Sequence, residues 1–356
     1  MAADGSTRLS QSADFKRISQ SPGRLDLAAA PEGFDALVMA DLARARGGLC
    51  VFVARDTARA SAFAEALRFF APEIAVLRFP SWDCLPYDRM GPSPAIAAER
   101  MATLSRLVEG FEAKTPVIVV TTAHALLQRL PPRGAVTAAG YRARTGQDVN
   151  VADLERYFAV NGYVRASTVA ERGEFAVRGG VIDVWAPGAE EPVRLDLFGD
   201  RLESIRAFDP ETQRSTKQLK AIDLLPVSEV LLDADAVARF RTGYVARFGA
   251  PGDDALYAAV SAGARRAGLE HWLPLFYAQL DSLFDYAGPG ALIAVDHQVP
   301  ESRDERLAMI EDAYSARAES AKAAKSTYQA LEPGALYLMP EEWDRRLAGH
   351  ANRWFS

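Results

Sequence analysis

Three short runs constrain the fold of this chain more than anything else in it: Leu49-Cys50-Val51-Phe52-Val53, Val117-Ile118-Val119-Val120 and Ala291-Leu292-Ile293-Ala294-Val295. Each is apolar at every position, so neither face of the strand it would form can be left to water. Such strands belong in a parallel sheet covered on both sides. Between the first two runs, Phe63, Leu67 and Phe70 recur at helical spacing, as do Ala97, Met101, Leu104 and Val108. Strands alternating with helices predict an α/β domain built on a parallel sheet. The third run lies far down the chain, beyond a stretch of different texture. From about Gly140 to Pro226 short alternating segments are punctuated by turn signals at Arg178-Gly179-Gly180, Ala186-Pro187-Gly188 and Gly199-Asp200, which predicts a small, mostly antiparallel β-rich module. Helical spacing then returns with Val237, Phe240, Tyr244 and Phe248, and residues 303–329 read as one long helix.

The resulting expectation is a split α/β domain with an inserted β-rich module. Residues 1–27 form a flexible polar leader, 28–139 the first half of the α/β domain, 140–226 the insertion, 227–335 the second half, and 336–356 the start of a following domain or linker. A length of 356 residues suits this division, because it exceeds what one hydrophobic core serves. No apolar run approaches the roughly 20 residues of a membrane span. The first 27 residues carry charges where a signal peptide needs an apolar centre, which points to a cytoplasmic protein. Cys50 and Cys84 read as reduced core residues. His124, His271, His297 and His350 are too scattered to suggest a metal site. A formal net charge of -6 argues against nucleic acid as the main partner.

Within the insertion, alternation sorts side chains by face. In Arg194-Leu195-Asp196-Leu197-Phe198 the leucines turn one way and Arg194, Asp196 and Phe198 the other. In Glu174-Phe175-Ala176-Val177-Arg178, Phe175 and Val177 turn inward and Arg178 outward. Arginine and an aromatic on one exposed face have the composition of a protein-binding hot spot. A solvated face with Phe198 tucked beneath a loop would give the same alternation. The segment 163–214 holds seven arginines, no lysine and ten acidic residues, so it is acidic overall and unsuited to tracking phosphates. Arginine without lysine suits a desolvated protein interface, where a planar fork loses less on ordering than a flexible ammonium.

Three stretches carry a family resemblance: Phe79-Pro80-Ser81-Trp82-Asp83-Cys84-Leu85-Pro86-Tyr87-Asp88, Glu171-Arg172-Gly173-Glu174-Phe175-Ala176-Val177-Arg178-Gly179-Gly180-Val181-Ile182-Asp183-Val184-Trp185, and Pro192-Val193-Arg194-Leu195-Asp196-Leu197-Phe198. They resemble the amino-terminal, UvrB-like module of the bacterial transcription-repair coupling factor (Mfd) family, over about residues 24–356. The resemblance implies that the insertion docks the damage-recognition protein UvrA, and that Arg178, Arg194 and Phe198 make the contact. It also implies a longer parent, in which other domains bind RNA polymerase and DNA and drive an ATP-dependent translocase. A carboxy-terminal regulatory domain of that parent would cover the docking face.

The chemistry of a motor domain is altered in this chain. A phosphate-cradling loop, G-x-x-x-x-G-K-[ST], offers backbone amides, a lysine and a hydroxyl to a nucleotide. The corresponding stretch here reads Ala29-Ala30-Pro31-Glu32-Gly33-Phe34-Asp35-Ala36. Gly33, Phe34 and Asp35 stand where Gly-Lys-Ser/Thr would fall, so the lysine is gone and a carboxylate faces the cradle. Val295-Asp296-His297-Gln298 keeps an acid, Asp296, but lacks the glutamate that would polarise water. This predicts a degenerate nucleotide fold with no cofactor and no catalytic residue. The tyrosine-rich hairpin with which UvrB-like proteins clamp DNA has no counterpart in residues 89–100, which hold no aromatic; Arg89 and Arg100 are the cations there that could reach a phosphate. The alternative is a UvrB-like domain that still binds ATP or duplex DNA, the latter recognisable by its salt dependence.

Overall fold

The computed structural model describes residues 13–28, 30–323 and 328–356. A helix, α1 (Ala13–Gln20), and a strand, β1 (Arg24–Leu27), open the chain. There follow α2 (Phe34–Arg46), β2 (Gly48–Ala54), α3 (Thr57–Phe70), β3 (Ala75–Phe79), α4 (Pro94–Glu109), β4 (Pro116–Thr122), α5 (Ala123–Leu127) and α6 (Arg133–Ala138). The insertion comprises β5 (Tyr141–Arg144), α7 (Val151–Asn161), β6 (Val164–Arg165), β7 (Glu174–Arg178), β8 (Val181–Val184), β9 (Val193–Phe198), β10 (Arg201–Phe208), β11 (Ser215–Leu219) and β12 (Ala221–Leu224). The chain then returns through α8 (Ala234–Phe248), α9 (Ala255–Ser261), a 3-10 helix (Leu269–Leu275), α10 (Leu283–Ala287), β13 (Leu292–Val295), α11 (Val299–Lys322), α12 (Pro333–Leu336), α13 (Pro340–Ala348) and β14 (Ala351–Phe355).

The large sheet has the order β1-β14-β13-β2-β4-β3 and is parallel at every pairing. Its central strands are buried on both faces, as their composition requires. Cys50, Phe52, Ile118, Val120, Leu292 and Ala294 pack towards α2 and α3, while Val51, Val53, Val119, Ile293 and Val295 belong to the larger core on the opposite side. The insertion carries its own core around Phe158, Ile182, Val184, Leu195 and Ile205. That core lies beneath a second sheet of order β11-β10-β9-β8-β7-β6, with β5 and β12 paired beside it where the chain enters and leaves.

Several expectations need correction. The leader does not extend to residue 27, because β1 pairs with β14 in the large sheet and Phe15 of α1 is buried against it; residues 1–12 lie outside the described residues. Residues 336–356 are not a linker. β14 inserts between β1 and β13, so this segment is part of the α/β domain. The sequence signal missed this strand because Asn352 and Arg353 interrupt it. Both are buried, and Arg353 is accommodated by donating to the carbonyls of Ile18, Ser21, Gly23 and Asn352. β3 stops at Phe79, and Tyr87 beyond it sits in a turn with φ 55°. The long helix begins earlier than expected, at Val299, and ends at Lys322; residues 328–330 are not helical, and 324–327 lie outside the described residues.

The insertion is tied to the α/β domain by one half-buried arginine and one buried ion pair. Arg265 donates to the carbonyls of Val160 (2.6 Å) and Ala159 (3.5 Å) at the end of α7, to that of Val230 (2.6 Å), and to the Ser228 hydroxyl (3.0 Å). Burial pulls its guanidinium down to about 10. Close by, Arg100 of α4 is fully buried and pairs with Glu229 at 2.5 Å. This overturns the expectation that Arg100 could reach a phosphate.

Candidate functional site

Strand register assembles the candidate docking face. β7 pairs with β8 so that Arg178 faces Val181, and β8 pairs with β9 so that Val181 faces Asp196 and Asp183 faces Arg194. Cross-strand partners share a face. Glu174, Ala176, Arg178, Asp183, Arg194, Asp196 and Phe198 therefore lie on one side, opposite the core residues Phe175, Ile182, Val184 and Leu195. Two hairpin turns close at the same end of this face. In one, Gly179 has φ 60° and Gly180 lies so close to β9 that a Cβ on it would meet the Leu197 carbonyl at 2.6 Å; Leu197 returns a hydrogen bond to the Gly180 carbonyl at 2.7 Å. In the other, Gly199 at φ 61° turns the chain from Phe198 to Arg201.

At this end the Phe198 residue is 78% exposed, with no loop over it. The two arginines are not equivalent. Arg194 donates Nε to Asp183 Oδ1 at 2.7 Å and an Nη to Oδ2 at 2.9 Å, and stands over the buried Phe208 ring with its guanidinium carbon 4.9 Å from the centroid. Its side chain is 20% exposed, and the bonds to Asp183 raise its pKa above the ordinary arginine value. Arg178 is 54% exposed and makes one longer contact, 3.2 Å, to the same Asp183. One buried carboxylate thus serves two guanidinium groups, so the pair carries positive charge outward. Asp183, buried between the two arginines, is the hub of the cluster. Asp196 is engaged by Arg206 at 2.7 Å and by Ser204. A small cap of Val169, Ala176 and Phe208 with Trp185 covers the far half of the face, which confines the exposed surface to the hairpin end. The sequence did not signal this cap, because Val169 lies outside any strand.

The degenerate cradle forms a second cluster. Gly33 caps the start of α2 at φ 92°, and Phe34 is partly exposed beside it. Asp35 turns back and is buried, paired with Arg59 of α3. Arg59 also approaches Asp296, at 3.4 Å, and Arg55 links Asp296 (3.3 Å) to Glu32 (2.9 Å). Two arginines, Arg55 and Arg59, thus stand in this cluster, each bound to carboxylates. The loop between β3 and α4 contains no strand. Among the described residues no group of His, Cys, Asp and Glu is arranged to hold a metal ion, and no helix is long and apolar enough to cross a membrane.

Comparisons with known proteins converge on one family. Residues 142–230 match the UvrB interaction domain. The chain is 32% identical to the transcription-repair-coupling factor of Haemophilus influenzae over 320 residues, 89% of this chain and 27% of that protein. It is 31% identical to the Escherichia coli protein of the same name over 260 residues, 72% of the chain and 22% of the relative. With the Myxococcus xanthus protein it shares 40% identity over 202 residues, 54% of the chain and 16% of the relative. The chain thus spans about a quarter of the length of relatives such as that from Haemophilus influenzae. The matched interaction domain coincides with the insertion that bears Arg178, Arg194 and Phe198, and the flanking similarity takes in the split parallel-sheet domain: this chain belongs to the family of transcription-repair-coupling factors.

Proposed function

We propose that this chain is a non-catalytic adaptor that recruits UvrA to couple stalled transcription to nucleotide excision repair. The α/β domain holds the insertion, and Arg178, Arg194 and Phe198 form the docking face. The observation that carries this reading is the bare Phe198 ring on the same sheet face as a guanidinium pair that shares one carboxylate. An isolated aromatic on an exposed hairpin end is costly to leave in water and productive when a partner covers it. In a longer parent, ATP-dependent translocation and contacts with RNA polymerase and DNA fall to other domains, and a carboxy-terminal regulatory domain shields the face until it is needed. The self-paired cradle at Gly33, Phe34, Asp35 and Asp296 fits a domain that works without nucleotide. Titration of UvrA with this chain tests the proposal. Phe198→Ala and Arg178→Ala each weaken binding by about 2 kcal/mol, roughly thirtyfold. Unchanged affinity in both variants would remove this face from the interface.

A further inference from the structure

The cradle at the start of α2 is not vacant; the chain fills it with its own carboxylate. Asp35 Oδ1 accepts hydrogen bonds from the main-chain amides of Gly33, at 3.0 Å, and Ala36, at 2.7 Å, and Oδ2 accepts one from Arg59. First-turn amides, the positive end of a helix dipole and a cation are what a phosphate oxygen receives at such a position. Nothing lies within 4 Å of where a Cβ on Gly33 would stand, so the mouth of the cradle is open on that side. Arg59 gives an independent sign. It is buried, and its Nε has no hydrogen-bond acceptor, with Asp296 at 3.4 Å and Glu32 at 3.7 Å as its nearest carboxylates. A buried donor of the residue that holds Asp35 is thus one hydrogen bond short. We propose that Asp35 is a built-in occupant that holds shut a latent site for a polyphosphate group. The contacts between α2, α3 and β13 that a bound phosphate would organise are made permanently by the side chain, so the domain keeps its arrangement at any nucleotide concentration. This inference stands apart from the docking face and survives if that reading fails.

Inorganic pyrophosphate is the probe, and thermal unfolding at constant ionic strength is the readout. Asp35→Ala empties the cradle, and combining it with Asp296→Asn removes the carboxylate that would otherwise take over Arg59. The double variant gains about 3 °C or more in Tm at about 5 mM pyrophosphate, whereas the unaltered chain and Asp296→Asn alone, both with Asp35 seated, gain less than about 1 °C. Adding Arg59→Ala to the double variant abolishes the gain. A folded double variant that responds no more than the unaltered chain overturns the proposal, as does a response that survives Arg59→Ala, or an equal response from Asp296→Asn alone. Should the double variant fail to fold by itself, its refolding yield is measured with and without pyrophosphate. Recovery with the anion supports the proposal, and equal failure overturns it.

Discussion

At the scale of single residues, the three side chains of the proposed docking face differ in what they do for the fold. Phe198 touches the folded protein little, so its removal costs binding and leaves stability within about 0.5 kcal/mol. Arg194 is built in. Cutting it to alanine leaves the buried Asp183 with only the long contact to Arg178 and uncovers Phe208, so unfolding free energy falls by about 2 kcal/mol alongside any loss of affinity. Chemical denaturation of the two variants side by side reads the contrast. Strand alternation was enough to place these residues on one face, because a period of two leaves no choice. It could not separate structural Arg194 from exposed Arg178, since that depends on Asp183 arriving from the intervening strand. His271 provides a pH-dependent counterpart inside the α/β domain. Burial pulls its imidazole down to about 4, with Nε2 3.2 Å from the Met90 carbonyl. The unfolded chain takes up this proton near pH 6.5 and the folded one does not. The stability that comes from keeping the ring neutral is therefore complete above about pH 6.5 and is lost as pH falls towards 4. Replacing His271 with glutamine removes this part of the slope, measurable as a smaller difference in stability between about pH 7 and pH 5 than in the unaltered protein.

At the scale of elements, the join between insertion and α/β domain is a packed seam. Arg265 closes the carbonyl end of α7, and the Arg100–Glu229 pair ties α4 to the strand of chain leaving the insertion. Arg100 also donates to the Pro80 carbonyl at 2.7 Å and stacks on Phe79, its guanidinium carbon 4.2 Å from the ring centre. Glu229→Ala strands this arginine in a dry interior and lowers stability by about 3–5 kcal/mol. Adding Arg100→Met, which removes the orphaned charge, restores a large part of the loss. Equal loss in single and double variants, by denaturant titration, would show that the pair is not coupled. None of this seam was visible in the sequence. An arginine near a helix start reads as solvated even where Leu104 follows four residues later on the same face, and only the folded path of the chain brings Glu229 beside it. The central strands were legible for the opposite reason: β2, β13 and the Val117–Val120 run of β4 are apolar at every position or nearly so and could go nowhere else.

At the scale of the molecule, the split-domain reading held and its outer boundaries did not. A parallel sheet can recruit a strand from any distance along the chain, and composition gives no warning when that strand, β14, carries Asn352 and Arg353. Its position has a consequence for synthesis. The insertion is one unbroken stretch and can acquire its core soon after residue 224 leaves the ribosome. The surrounding domain cannot, because the gap between β1 and β13 is filled by residues 351–355, which are translated well after the insertion. Until then β1 has no partner and β13 presents an open edge. Nascent chains stalled once the insertion has emerged, but before residue 351 is made, yield a protease-resistant fragment of the insertion while the flanking segments are digested. The insertion thus matures ahead of the scaffold that will hold it, and during translation the newborn proposed docking face is on display before its support exists.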